Sequence, residues 1–166
     1  MSKKIKNKNQ KAFTLIESMI AITLIVSGIT GLLVLVNRSI GFASLAFNQL
    51  TAANLAQEGI ELTRNIRDNN WMNKKNWLTG LEDGIYQIDY TEDKLVDLAE
   101  REDQPLLFDE LIGYNYTQGD DSFYHRKIEL TLINANELRV KSIITWSAKG
   151  GKNFETIAED HLFNWQ

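Results

Sequence analysis

Three places in this sequence hold side chains with the means to do chemistry. Glu17 is the only charge in the apolar run FTLIESMIAITLIVSGITGLLVLV at positions 13–36. His125 and His161 are the only histidines, the side chains whose charge changes near neutral pH. Asp120 and Asp121 stand side by side after Gly119. The histidines have no metal-ligand spacing such as His-Glu-x-x-His, so both read as exposed strand residues. Two adjacent carboxylates fall far short of the six to eight oxygens of a calcium site, so they read as a solvated turn. The chain has no cysteine, which excludes disulfides and cysteine-ligated metal. The expectation is a protein with no catalytic residue, no metal and no cofactor, and not an enzyme. Glu17 is different. A charge at the bilayer centre costs about 2.5–3.5 kcal/mol on insertion scales, and such charges are functional by default.

The apolar run of 24 residues is long enough to cross a hydrocarbon slab of about 30 Å. It exceeds the apolar core of a secretory signal peptide, and the small-x-small site Ser44-Leu45-Ala46 lies well past its end. Residues 1–12 carry Lys3, Lys4, Lys6, Lys8 and Lys11 and no acid, against a lone Arg38 beyond the run. That asymmetry puts the N-terminus in the cytoplasm and the body outside. Residues 38–166 hold 13 Lys and Arg against 21 Asp and Glu, a balance of -8. An acidic body is a poor partner for phosphate, so no direct nucleic-acid binding is expected.

The elements that must position Glu17 come next. Residues 37–68 lack proline and are rich in Ala, Leu, Gln and Glu, so the helix is expected to continue to about residue 68. Leu55, Gly59, Leu62 and Ile66 form one helical stripe suited to packing on a sheet. Asn69 and Asn70 are expected to end the helix, since Asn favours turns. Residues 69–121 read as a variable loop region. Within it, residues 85–91 suggest a strand with Tyr86, Ile88 and Tyr90 on one face, and residues 92–103 a short helix or loop. From residue 122 the pattern sharpens. Tyr124, Ile128, Leu130 and Leu132 alternate at period two, as do Leu138, Val140, Ile144 and Trp146, with Asn134-Ala135-Asn136 as the hairpin turn. Residues 150–153 make a second turn into a third strand at 154–159. Trp146 belongs to the core face, while Trp71, Trp77 and Trp165 are candidates for a binding surface. The fold class is α+β: a long N-terminal helix, membrane-spanning in its first half, packed on a C-terminal antiparallel sheet. The divisions are 1–12, 13–36 and 37–166, the last with its sheet at 122–166.

The lysine-rich leader, the stretch Ala12-Phe13-Thr14-Leu15-Ile16-Glu17 and the apolar helix together resemble the class III signal of type IV prepilins and pseudopilins. The resemblance is specific over residues 8–36. It implies cleavage between Ala12 and Phe13 by a membrane prepilin peptidase, and N-methylation of Phe13. The family strongly prefers glycine where this chain has Ala12. It implies that Glu17 pairs with the new amine of a neighbouring subunit and guides assembly. It also implies as partners other pilin or pseudopilin subunits, an assembly platform and membrane lipid. The implied location is the inner membrane, then a pilus or pseudopilus at the cell surface or in the periplasm. Leu55-Ala56-Gln57-Glu58-Gly59 and Arg64-Asn65-Ile66-Arg67-Asp68 look most like minor pilins of the PilV type. The lack of a disulfide loop leans the same way. The rival reading is a single-pass anchored adhesin or binding protein that does not polymerise.

Overall fold

A computed structural model describes residues 14–148 and 150–165. One helix, α1, runs Leu15–Met72 without a break. By contacts the chain divides into two units, residues 1–44 and 45–166. In the first, no described residue is buried.

The second unit is the body. Its main sheet has five antiparallel strands in the order β2-β1-β6-β7-β8, namely Val96–Asp97, Gly84–Gln87, Tyr124–Asn134, Glu137–Ser147 and Asn153–Phe163. A smaller sheet has the order β4-β3-β5, from Gly113–Asn115, Leu107–Asp109 and Asp120–Asp121. A one-turn helix, α2, covers Leu98–Arg101, with the Asp97 carboxylate accepting the Ala99 N–H at 2.8 Å. The long helix on antiparallel sheets is the expected α+β layout.

Alternation builds the core. Along β7, Leu138, Val140, Ser142, Ile144 and Trp146 are buried and the residues between them are not. At one end of the sheet Ala52, Leu55 and Ala56 of α1 pack with Leu106, Tyr124, Ile144 and Trp146. At the other, Ile60 packs with Trp77, Leu81, Leu130, Leu138 and Leu162. Burying each large apolar side chain contributes about 1.5–3 kcal/mol. Between the clusters the helix rides close to the sheet at Gly59. A Cβ there would lie 2.7 Å from Ile128 Cδ1 and would also meet Ser142 Oγ.

Several details depart from the sequence reading. The buried line of α1 runs through Ala52, Ala56, Gly59, Thr63, Arg67 and Asn70, and the bulkier Leu62 and Ile66 flank it half-buried. Small and polar residues hold the centre because the backbone approaches the sheet there. The helix passes Asn69 and Asn70 and ends at Met72. Asn70 is buried, and its Nδ2 donates to the carbonyls of Trp77 (3.2 Å) and Thr79 (2.8 Å), so its amide folds the next loop back and starts no turn. The helix closes in a Schellman motif: the Lys75 N–H reaches Asn70 O (2.8 Å), the Lys74 N–H reaches Trp71 O (2.9 Å), and Lys74 sits at φ 55. The strand expected at 85–91 is Gly84–Gln87. It stops because the buried Asp89 carboxylate takes the Thr91 and Tyr116 backbone N–H groups, and Tyr90 is left exposed. Residues 69–121 are less loop than expected, since they hold β1–β5 and α2. The third long strand extends to Phe163.

Candidate functional site

The N-terminal unit begins with a cap. Thr14 precedes α1, and its Oγ1 accepts the Glu17 N–H at 3.3 Å. Thr14 and Glu17 have the Thr-x-x-Glu spacing of a capping box. Glu17 lies in the first turn of α1 and is exposed. There the positive end of the helix dipole favours a negative charge by about 0.3–1 kcal/mol. Ala12 and Phe13 lie outside the described residues.

The surface of this unit is oily. Leu15 is 81% exposed, and Ile16, Met19, Ile20, Leu24, Leu32 and Leu35 are each more than half exposed. Hydroxyls within its apolar run bond back onto the helix. Thr23 Oγ1 donates to Met19 O (2.8 Å), Ser27 Oγ to Leu24 O (3.0 Å) and Thr30 Oγ1 to Val26 O (2.8 Å). In hydrocarbon an unpaired polar group costs several kcal/mol, so hydroxyls closed onto their own helix suit a lipid setting. The helix is long and apolar enough to cross a membrane, and its most apolar window is wholly unburied within the chain.

Residues 7–33 match the family described as the prokaryotic N-terminal methylation motif. The head of the chain carries this motif. The match takes in Lys8 and Lys11 of the leader, the Ala12-Phe13 junction, Glu17 and most of the apolar run, and it supports a chain processed and N-methylated in the manner of a prepilin. No curated protein and no solved structure matches the chain.

In the body, the other residues with chemical potential are dispersed. His125 lies on β6 with Nδ1 3.0 Å from the Asp103 carbonyl oxygen, which fixes Nδ1–H as the donor. His161 lies on β8 with Nδ1 2.8 Å from Glu137 Oε1. Neither approaches the other. Asp120 and Asp121 form the short edge strand β5, both exposed, and among the described residues no group of three metal-ligating side chains occurs. Trp77 and Trp146 are core residues. Trp71 is half-buried, with Trp165 edge-on at 4.7 Å and the Arg67 guanidinium over its ring at 4.6 Å.

Sequence reasoning missed the polar layer beneath the small sheet. Arg126 is fully buried on β6, with Nη2 donating to Glu58 Oε2 of α1 (2.6 Å) and Nη1 to Ile88 O (2.9 Å). Arg101 pairs with Glu92 and lies 4.3 Å above the Tyr116 ring. Burial pushes the Tyr116 phenol well above its usual range, and the opposing pull of Arg126 and Arg101 is weaker. Gln87 Nε2 donates to the Gln104 and Arg126 carbonyls, both at 3.1 Å. These bonds fasten the segment from β1 to β4 onto the helix and main sheet. Parity was the available signal: Arg126 shares the face of Tyr124 and Ile128, and an inward arginine needs an acid.

Proposed function

We propose that the chain is a structural subunit, of the minor class, of a type IV pilus or related pseudopilus. Residues 1–12 are its cytoplasmic leader, 13–36 its membrane and assembly helix, and 37–166 its body outside the membrane. Prepilin peptidase cuts between Ala12 and Phe13 and methylates Phe13. The new α-amine has an ordinary pKa near ~8 and is mostly cationic. Glu17, one turn further on, then meets the amine of a neighbouring subunit while the apolar helices pack. A buried ionic pair that checks register is the best-attested use of such a group.

The observation that carries this reading is the methylation motif lying over the capped start of an exposed apolar helix. Lack of a disulfide loop, and the segments at 55–59 and 64–68, favour a minor subunit of the PilV type. The test is co-expression with a prepilin peptidase and intact-mass analysis of the membrane-extracted chain. The expected product lacks residues 1–12 and carries one methyl group on Phe13. Ala12→Gly is cut at least as fast. A chain that stays full length, or is cut after Ala46, overturns the reading.

A further inference from the structure

One end of the body is built from the last turn of α1, the loop at residues 73–83 and the β6–β7 hairpin. Two adjoining depressions lie there. The first, of about 580 Å³, is lined by Trp71, Lys75, Asn76, Leu78, Leu132 and Asn164 among others. The second, of about 430 Å³, is lined by Thr79, Glu82 and Asp83, and shares Asn76, Leu78 and Leu132 with the first. They form one shallow cleft with two compartments, each within the range of about 300–1,000 Å³ usual for small-ligand sites.

The cleft keeps its shape without a ligand. Trp77 and Leu81 are buried and root the loop in the core. The Asn70 amide holds the Trp77 and Thr79 carbonyls, and the Thr79 N–H reaches Asn76 O at 3.0 Å. Trp71 is braced as well, by the Arg67 guanidinium over its ring and by Trp165 edge-on to it. A site that is already rigid loses less ordering entropy when it binds.

The lining is half apolar and half polar. Trp71, Leu78 and Leu132 supply the apolar wall. Asn76 Oδ1 accepts the Leu78 N–H at 2.9 Å, which leaves its Nδ2 for a ligand. Asn164 and Thr79 add a second amide and a hydroxyl. Glu82 and Asp83 each give one carboxylate oxygen to a backbone N–H, of Gly80 and Leu132, and keep the other for a ligand. One lysine in the first compartment stands against two acids in the second, so neither a polyanion nor a polycation meets a surface of the opposite sign throughout. A pyranose ring suits this lining. It is uncharged, its C–H face packs on the face of an indole, and its hydroxyls both donate and accept hydrogen bonds.

We infer that this cleft binds a neutral glycan, with one sugar ring against Trp71 and the next beside Glu82 and Asp83. The two compartments share Asn76, Leu78 and Leu132, so the ligand has at least two linked rings. The inference goes beyond the filament reading. It gives the subunit an adhesive role towards a polysaccharide, and it holds whether or not the chain polymerises.

The test uses the full chain in a zwitterionic detergent, since a sugar-headed detergent competes for the cleft. The chain is immobilised on a sensor surface, and cellohexaose, maltohexaose and the anionic hexagalacturonate are passed over it at up to ~10 mM. A saturating response is expected with at least one neutral sugar, at a Kd on the order of 0.1–1 mM, as suits a shallow, wet site. Trp71→Ala is expected to weaken it about thirtyfold. Because that change also unbraces Arg67 and Trp165, two gentler variants stand beside it. Trp71→Phe keeps an aromatic wall and retains part of the affinity. Asn76→Asp keeps the Oδ1 that accepts the Leu78 N–H and loses the amide donor, so it weakens binding about tenfold with the unfolding midpoint unchanged. Phe123→Ala, which removes an exposed aromatic outside the cleft, binds as the native chain does. No response to either neutral sugar overturns the inference. A response to hexagalacturonate as strong as that to the neutral sugars marks an anion site at the lysines and also overturns it. Full binding by either Trp71→Ala or Asn76→Asp places the sugar elsewhere and overturns it too. All three outcomes leave the filament reading standing.

Discussion

The Arg126 guanidinium and the Glu58 carboxylate meet at 2.6 Å, and through them β6 is fixed to α1 inside the body. The two partners are unequal. The Arg126 side chain has no exposure, while that of Glu58 is 32% exposed. Removing Glu58 therefore strands a buried cation. Removing Arg126 leaves a carboxylate that water reaches. Glu58→Ala is expected to cost about 3 kcal/mol, and Arg126→Met distinctly less, because a packed apolar chain replaces a buried charge. Urea denaturation of both variants and of the double variant checks the order. An equal loss for the two single variants would show that Glu58 is not the required counter-charge.

A second prediction concerns the closest approach of helix and sheet. Gly59→Ala places a methyl against Ile128 and Ser142, both fully buried, and is expected to destabilise by about 1–3 kcal/mol. Ser142→Ala opens space on the partner side, and its hydroxyl has no bonding partner, so it should recover part of the loss. Gly31→Ala meets nothing within 4 Å and should leave the body's unfolding midpoint unchanged. A neutral Gly59→Ala would mean that the sheet gives way more easily than its packing implies.

What the sequence made legible follows from periodicity. The inward residues of β7 and the two-residue hairpin were readable because period two and turn chemistry agree there. The methylation motif was readable because it is short and contiguous. The helix end was not, because Asn70 answers to carbonyls seven and nine residues later and not to its own preference for turns. Leu132 was expected inward and does keep that parity, opposite the buried Leu138, yet at the end of the sheet it is 40% exposed. Arg126 was hidden for a related reason: its acid lies 68 residues away on another element. Contacts of that range are decided by packing, which a local pattern does not contain.

A third prediction concerns where the body begins. The first buried residue of α1 is Ala52, and Tyr124 Oη donates to Asn48 O at 3.1 Å. Between the apolar run and that point Ile40, Phe42 and Phe47 are exposed. A chain starting at Leu45 should be a folded, soluble monomer. One starting at Asn37 keeps Ile40 and Phe42 and should associate more, by sedimentation at equal concentration. If the shorter chain lost its strand signal in circular dichroism, residues 37–44 would belong to the body's fold.

The last prediction is about Glu17. Its carboxylate should matter for assembly and not for insertion. Glu17→Ala takes a charge out of the apolar run, so the precursor should enter the membrane and be cut at least as well. The helix start survives, because the cap is made by Thr14 Oγ1 to a backbone N–H that alanine also has. On the proposed pairing, what is lost is the partner of the neighbouring amine, which would then be buried unpaired at a cost of several kcal/mol. Every ~1.4 kcal/mol is a factor of ten in affinity, so the variant should be almost absent from filaments. Glu17→Gln keeps the shape without the charge and should fail likewise, while Glu17→Asp should recover part of the incorporation. Thr14→Ala separates the two roles: it removes the cap, a loss of about 1 kcal/mol of helix stability, and leaves the charge in place. It should incorporate far better than Glu17→Ala. The measurement is the amount of each variant in sheared filaments relative to the amount in the membrane. Full incorporation of Glu17→Ala would assign the charge to the helix start alone and favour an anchored protein that does not polymerise.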